Sequence, residues 1–321
     1  MSVLHLLQEV AQNAQAAAPA PRPVGPPGPG GGEHGFSFVD ALFQLIQFVG
    51  WFLSVGAVGF RFGVVRRVRG ISDDARRILA PDNAATLGAL GVVLLFVAFF
   101  GPPFLESISS HKAFTELLPK NRGPFEVRMT VLAIALIGFL LVRASSALGW
   151  TLATLGVLIV VLFPLYTGRG AGKVNAVHIL AASTWLGTLF VLSIVGIRGV
   201  INRGPSGTTR ANLVCDLVNS FSPLALTAAT VVALTGLTTA WMHLKRISSL
   251  WTTSYGITLV VKLIFVLIVA TLGAWNWRRV RPSLGEEGTE ETIRRSATME
   301  LTFGAIVLLC TSVLVTLPSP R

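Results

Sequence analysis

Charge is what this 321-residue chain has least of. Asp, Glu, Lys and Arg together make up 13% of it, against 52% hydrophobic residues. A soluble domain carries about 25% charged residues, and the mean hydropathy here is +0.68. An ordinary soluble fold is therefore excluded. Cysteine is nearly absent: Cys215 and Cys310 have no paired spacing, which excludes a disulfide framework and a cysteine-built zinc site. Both read as small apolar fillers. Methionine is also scarce, with Met1, Met129, Met242 and Met299 too scattered to form a methionine relay. The sequence has no G-x-S-x-G elbow, no H-E-x-x-H pair and no phosphate-binding loop. It offers no signature of an enzyme.

What is present is a series of eight apolar runs of about 20 residues without strict alternation, the pattern of membrane-spanning helices rather than barrel strands. They are expected at about 38–60, 84–105, 127–145, 148–167, 174–197, 221–243, 255–277 and 297–317. The fold class is thus all-α, a polytopic membrane helix bundle. Residues 1–36 form an N-terminal tail in which "AAPAPRPVGPPGPGGGEHG" holds six of the 17 prolines. Such a stretch is a linker that packs no core. The bundle then divides into helices 1–4 (37–173) and helices 5–8 (174–321). A short echo relates the two parts: "VGWFLSVGAVGFR" (49–61) and "LGTLFVLSIVGIR" (186–198) share Gly50/Gly187 and a Gly-x-Arg end. Two four-helix halves in parallel orientation would produce such an echo.

The net charge of +11 belongs to loop arginines. In a membrane chain that bias marks cytoplasmic loops and gives no reason to expect nucleic acid. With the N-terminus outside, the inside loops collect 15 Lys and Arg and the outside regions 10. N-out and C-out is the expected orientation.

This topology places all five histidines on the outer side. His5 and His34 lie in the tail, His111 in the loop after the second segment, His178 one turn inside the outer end of the fifth, and His243 at the outer end of the sixth beside Met242. Imidazole and thioether suit copper and similar metals, so His178, His243 and Met242 are the candidate metal ligands, joining two helices at the outer membrane boundary. The alternative for each histidine is a hydrogen bond to backbone or a place among the headgroups. Trp185 falls on the same face as His178, two turns below, either walling a pocket or packing between helices. Asp40, Gln44 and Gln47 line one stripe of the first segment. Lys262 sits about 10 Å down the seventh, where an uncompensated cation is costly. It either snorkels outward or pairs with a carboxylate, Asp40 being the best available. Glu300, near the inner end of the eighth segment, is within reach of Asn276 or an inside arginine.

These residues resemble a family. "VHILAASTWLGTLFVL" (177–192) is similar to the helix-5 motif of CopD-type copper resistance proteins, a His followed seven residues later by Trp-x-Gly. "FSPLALTAATVVALTGLTTA" (221–240) resembles the next family helix, with its Phe-Ser start and late Thr-Gly. Thr253, Tyr255, Gly256, Leu259, Lys262 and Asn276 follow the order of the one after, and Glu300 with "LVTLPSP" that of the last. The resemblance covers about 174–319. It departs from the pattern at Gly168, which is followed by Arg169 where the family often places a His. The resemblance implies eight helices in a bacterial inner membrane, copper uptake or copper resistance, and His178 as the residue most closely linked to the ion.

Three functions are therefore expected in order: a copper-handling membrane protein, copper ion being its cargo; a non-transporting CopD-like subunit tethered to a larger membrane complex by the N-terminal tail; and a haem b electron carrier, which needs two axial histidines at matched depth. The lipid bilayer is the partner common to all three.

Overall fold

The computed structural model describes residues 37–68, 81–117, 122–143, 147–168, 170–203, 208–244, 248–276, 278 and 289–317. The N-terminal tail, with His5, His34 and the expected tether, lies outside the described residues, as does Arg169. Among the described residues there is no strand. Among the same residues eight helices are long and apolar enough to cross a membrane: α1 Phe38–Arg67, α2 Asn83–Ser110, α3 Arg122–Val142, α4 Leu148–Thr167, α5 Ala171–Asn202, α6 Thr209–His243, α7 Ser254–Trp275 and α8 Arg295–Thr316. The chain is an all-α multi-pass membrane bundle. Helices dominate because lipid offers no partner to an open backbone N–H or C=O, so each span must satisfy its own.

Local chemistry sets the helix ends. Ser37 caps α1, its side chain accepting from the Asp40 backbone N–H at 3.2 Å. The Asp40 carboxylate then lies in the first turn, where the helix dipole favours it, and the residue is exposed. At its other end α1 loosens through a π turn, Phe60–Val64, into a 3₁₀ turn, Val65–Arg67. Gly170 starts α5 with φ of 51°, a left-handed conformation natural to glycine.

α1 lies at the centre, packing on α2, α5 and α8. The main core gathers Trp51, Phe60, Leu95, Phe139, Trp150, Leu192 and Leu217 around it. Between helices in lipid the hydrophobic effect gives little drive, so close van der Waals contact between small residues has to hold them. The tightest such contact joins α1 to α5. A Cβ added to Gly56 would come within 2.4 Å of the Gly187 backbone, and one added to Gly187 within 2.2 Å of the Phe52 carbonyl. Gly50, the other glycine of the sequence echo, faces Gly91 and Leu95 of α2 instead. The two matched glycines thus hold different neighbours. α5 is also broken twice by π turns, at Ser183–Gly187 and Leu192–Ile197. Such bulges shift the helix face and recur at functional sites.

α6 and α7 are set differently. They meet at the His243 end of α6, where Tyr255, Leu259 and Leu314 cluster with Ala240 and Leu244. Below this, α7 packs mainly on α8 and touches α6 only sparsely. Leu226, Leu234 and Leu237 of α6 and Leu263, Ile264 and Leu267 of α7 are exposed to the lipid.

Gly187→Leu is expected to force α1 from α5 and to destabilise the bundle by at least the roughly 1–3 kcal/mol typical of overpacking. Thermal unfolding in micelles would show a clear drop in midpoint.

Candidate metal site

His178 lies two turns into α5, and α6 provides its seat. The imidazole Nδ1 is 3.0 Å from Thr235 Oγ1. That hydroxyl has one proton and spends it on the Val231 carbonyl at 2.6 Å, so towards His178 it can only accept. Nδ1 therefore carries the ring proton and Nε2 the lone pair. The next residue, Gly236, completes the seat: a Cβ there would approach His178 Cε1 to 3.2 Å. The late Thr-Gly of the sixth helix is thus a socket for the histidine of the fifth.

His243 is fixed by the same logic at a different place. Its Nδ1 is 2.8 Å from the Thr239 carbonyl. A carbonyl only accepts, so Nδ1 is again the protonated nitrogen and Nε2 is left with the lone pair. Metal-ligating histidines are usually oriented in this way, with the second nitrogen donating to backbone or carboxylate. The His243 ring stacks on Tyr255 of α7 at 6.1 Å. Tyr255 is placed by the cap of its helix. Thr253, in extended backbone, accepts from the Gly256 N–H at 3.0 Å, and Gly256 has no room for a Cβ, which would fall 2.1 Å from the Ser249 carbonyl. The Thr-x-Tyr-Gly motif is therefore a helix start that presents an aromatic ring to His243.

The three candidate ligands do not converge. Thr235 and His243 are eight residues apart on α6, about 12 Å along the axis, so the two histidines stand at different depths. Met242 turns to the other neighbour, its Cε being 3.7 Å from the Cβ position of Gly170 at the start of α5. His243 faces α7 and Met242 faces α5, as adjacent residues on a helix must. Among the described residues no group of three or more His, Cys, Asp or Glu is arranged to hold a metal.

The remaining sequence candidates are placed as follows. Lys262 and Asp40 form no ion pair. Instead Lys262 lies within electrostatic range of His178 and of Cys310 on α8. The expected pairing is absent: Lys262 lies eight residues into α7, turned towards α5 and α8, while Asp40 is exposed in the first turn of α1. Gln44 is partly buried on α1. Trp185 walls a cavity between α5, α6, α7 and α8, which also reaches Glu300. Asn276 Nδ2 donates to Glu300 Oε1, and Ser296 Oγ donates to Asn276 Oδ1 at 2.5 Å. His111 is exposed, with φ of 52° in the turn after α2. Sequence reading missed the role of Thr235, which was signalled by the Thr-Gly pair. Cys310 is buried, as its reading as an apolar filler expects.

Residues 216–314 match the family model of copper resistance protein D. The C-terminal part of this chain is CopD-like. The match spans most of α6, all of α7 and nearly all of α8, and so includes Thr235, His243, Lys262, Glu300 and Cys310. The chain is also similar to the copper transport protein CutJ of Bacillus subtilis (strain 168), with 28% identity over 186 residues, 56% of this chain and 32% of that protein. It therefore spans about a third of the length of this curated relative. No solved structure matches it significantly.

Imidazole ¹⁵N spectra are expected to show Nδ1 as the protonated nitrogen of the neutral ring at both His178 and His243. Thr235→Val should release that preference at His178 alone and cost about 1 kcal/mol, the typical net value of such a hydrogen bond.

Proposed function

We propose that the chain is a copper-handling protein of a bacterial inner membrane, with both termini outside, and that it takes the ion at the outer face between α5 and α6. The observation that carries this reading is the seat of His178. An intramembrane imidazole is costly to bury and is rarely kept without use. Here it is held by a Thr-Gly pair of the CopD-like α6, with a nitrogen lone pair left for a soft or borderline cation. His243 offers a second such nitrogen about two turns of α6 nearer the surface, with Met242 beside it. The arrangement supports successive single-histidine stations rather than one three-ligand cage: a cation is received at His243 or Met242 and passed inward to His178. Weak, multiple sites suit passage better than one tight site, since a passing ion has to leave again. The ammonium of Lys262 repels a cation at His178 and so weakens the inner station.

A second reading, a non-transporting subunit of a larger complex, is favoured by the exposed apolar faces of α6 and α7, which a partner's helices would cover. Co-purification of a stoichiometric partner without metal would select it. The haem reading requires a Soret band in the purified protein, and none is expected.

Metal analysis of the purified chain after copper loading is expected to find bound copper that His178→Ala greatly reduces. Lys262→Met should tighten binding, by about tenfold for each 1.4 kcal/mol of repulsion removed. Copper content and cellular copper tolerance unchanged in His178→Ala would refute the copper reading.

A further inference from the structure

The cavity below His178 has a chemistry that the copper reading does not use. α6 and α7 touch at their outer ends through His243 and Tyr255 and separate towards the inner side, with α8 behind them. The wedge between them holds a cavity of about 330 Å³, within the range of small-ligand pockets, about 300–1,000 Å³. Its walls are apolar: Trp185 from α5, Phe221 and Leu226 from α6, Ala270 and Gly273 from α7. A Cβ added to Gly273 would meet nothing within 4 Å, so this wall is open where most glycines of the bundle are tightly opposed. The helices flanking the wedge expose Leu226 and Leu267 to the lipid.

The polar groups lie at one end. Glu300 is 6% exposed and is drawn into the α7–α8 seam by Asn276, which Ser296 holds in turn. Three exposed arginines lie within two residues of lining positions in the sequence. Arg198 follows the lining residue Ile197, Arg278 is two beyond the lining Asn276, and Arg295 precedes the lining Ser296. Glu300 is five residues inside Arg295, about 7.5 Å along α8. From rim to interior the order is therefore cationic, then a single carboxylate, then apolar.

We propose that this wedge is a binding site for an anionic phospholipid, with one acyl chain filling the apolar chamber and the phosphate held by Arg198, Arg278 and Arg295. Guanidinium groups match phosphate oxygens in geometry and charge, and basic clefts between spans at the inner leaflet favour anionic headgroups. The apolar chamber takes the acyl chain, so the phosphate stays at the rim. Charge complementarity favours an anionic lipid over a zwitterionic one, whose ammonium group would meet the same arginines.

The test uses the full chain reconstituted in vesicles of phosphatidylethanolamine with a minor share of phosphatidylglycerol. The protein is re-extracted in mild detergent and its retained lipid measured by mass spectrometry. Phosphatidylglycerol should be retained far above its share in the vesicle. Gly273→Leu, which has room for its side chain, should abolish that enrichment without lowering the thermal midpoint. Arg198→Gln, Arg278→Gln and Arg295→Gln should each weaken retention by about tenfold, as expected for one charged hydrogen bond lost. Retention in the proportions of the vesicle by the unaltered protein overturns the proposal, and so does enrichment that persists in Gly273→Leu or in the combined arginine variant. His178→Ala should leave lipid enrichment intact, which separates this site from the copper reading.

Discussion

The contact between α1 and α5 sets the frame of the molecule. Two backbones meet at Gly56 and Gly187 more closely than any side chain would permit. In a bilayer such a contact cannot be replaced by hydrophobic burial, because the lipid is as apolar as the helix. It fixes α5 against the central helix by one face and leaves its other faces to the C-terminal helices. α6 can then bring Thr235 and Gly236 to His178, while further along α5 Trp185 turns into the space that α6 and α7 leave open. The π turns of α5 lie along this same stretch and adjust the helix face between the two tasks.

The C-terminal helices place polarity at two levels with an apolar interval between them. Towards the His243 end are His178, Thr235, Lys262 and Cys310, one residue from each of four helices. Towards the opposite end are Glu300, Asn276 and Ser296. Each polar group is costly alone in hydrocarbon, and each is met by another from a neighbouring span. This is why the family motifs are spread thinly along the chain. Each motif contributes half of an interhelical contact, and only the assembled bundle joins the halves.

Much of the architecture was legible in the sequence, because length and hydropathy alone define a span. The eight segments were found, with boundaries a few residues to a turn or more too short at polar ends such as Thr208–Asn219, where α6 extends beyond its apolar run. What could not be read was azimuth. Counting residues along each helix approximates depth, and Asp40 was the nearest carboxylate such counting offered to Lys262. Which way each side chain faces depends on helix rotation, which the sequence does not state. The same limit applies to His178, His243 and Met242. That they share a side of the membrane followed from topology, but whether they share a point depended on rotation and on the 12 Å between their levels. Thr235 was visible as part of a motif, yet its use became clear only when the hydroxyl was found between an imidazole and a carbonyl.

That hydroxyl has one more consequence. The hydrogen-bond chain running from His178 through Thr235 ends on the Val231 carbonyl, an amide oxygen with no proton to pass on. It is a dead end for proton relay. Proton exchange at the His178 ring therefore falls to Nε2, the nitrogen that the seat on α6 leaves open.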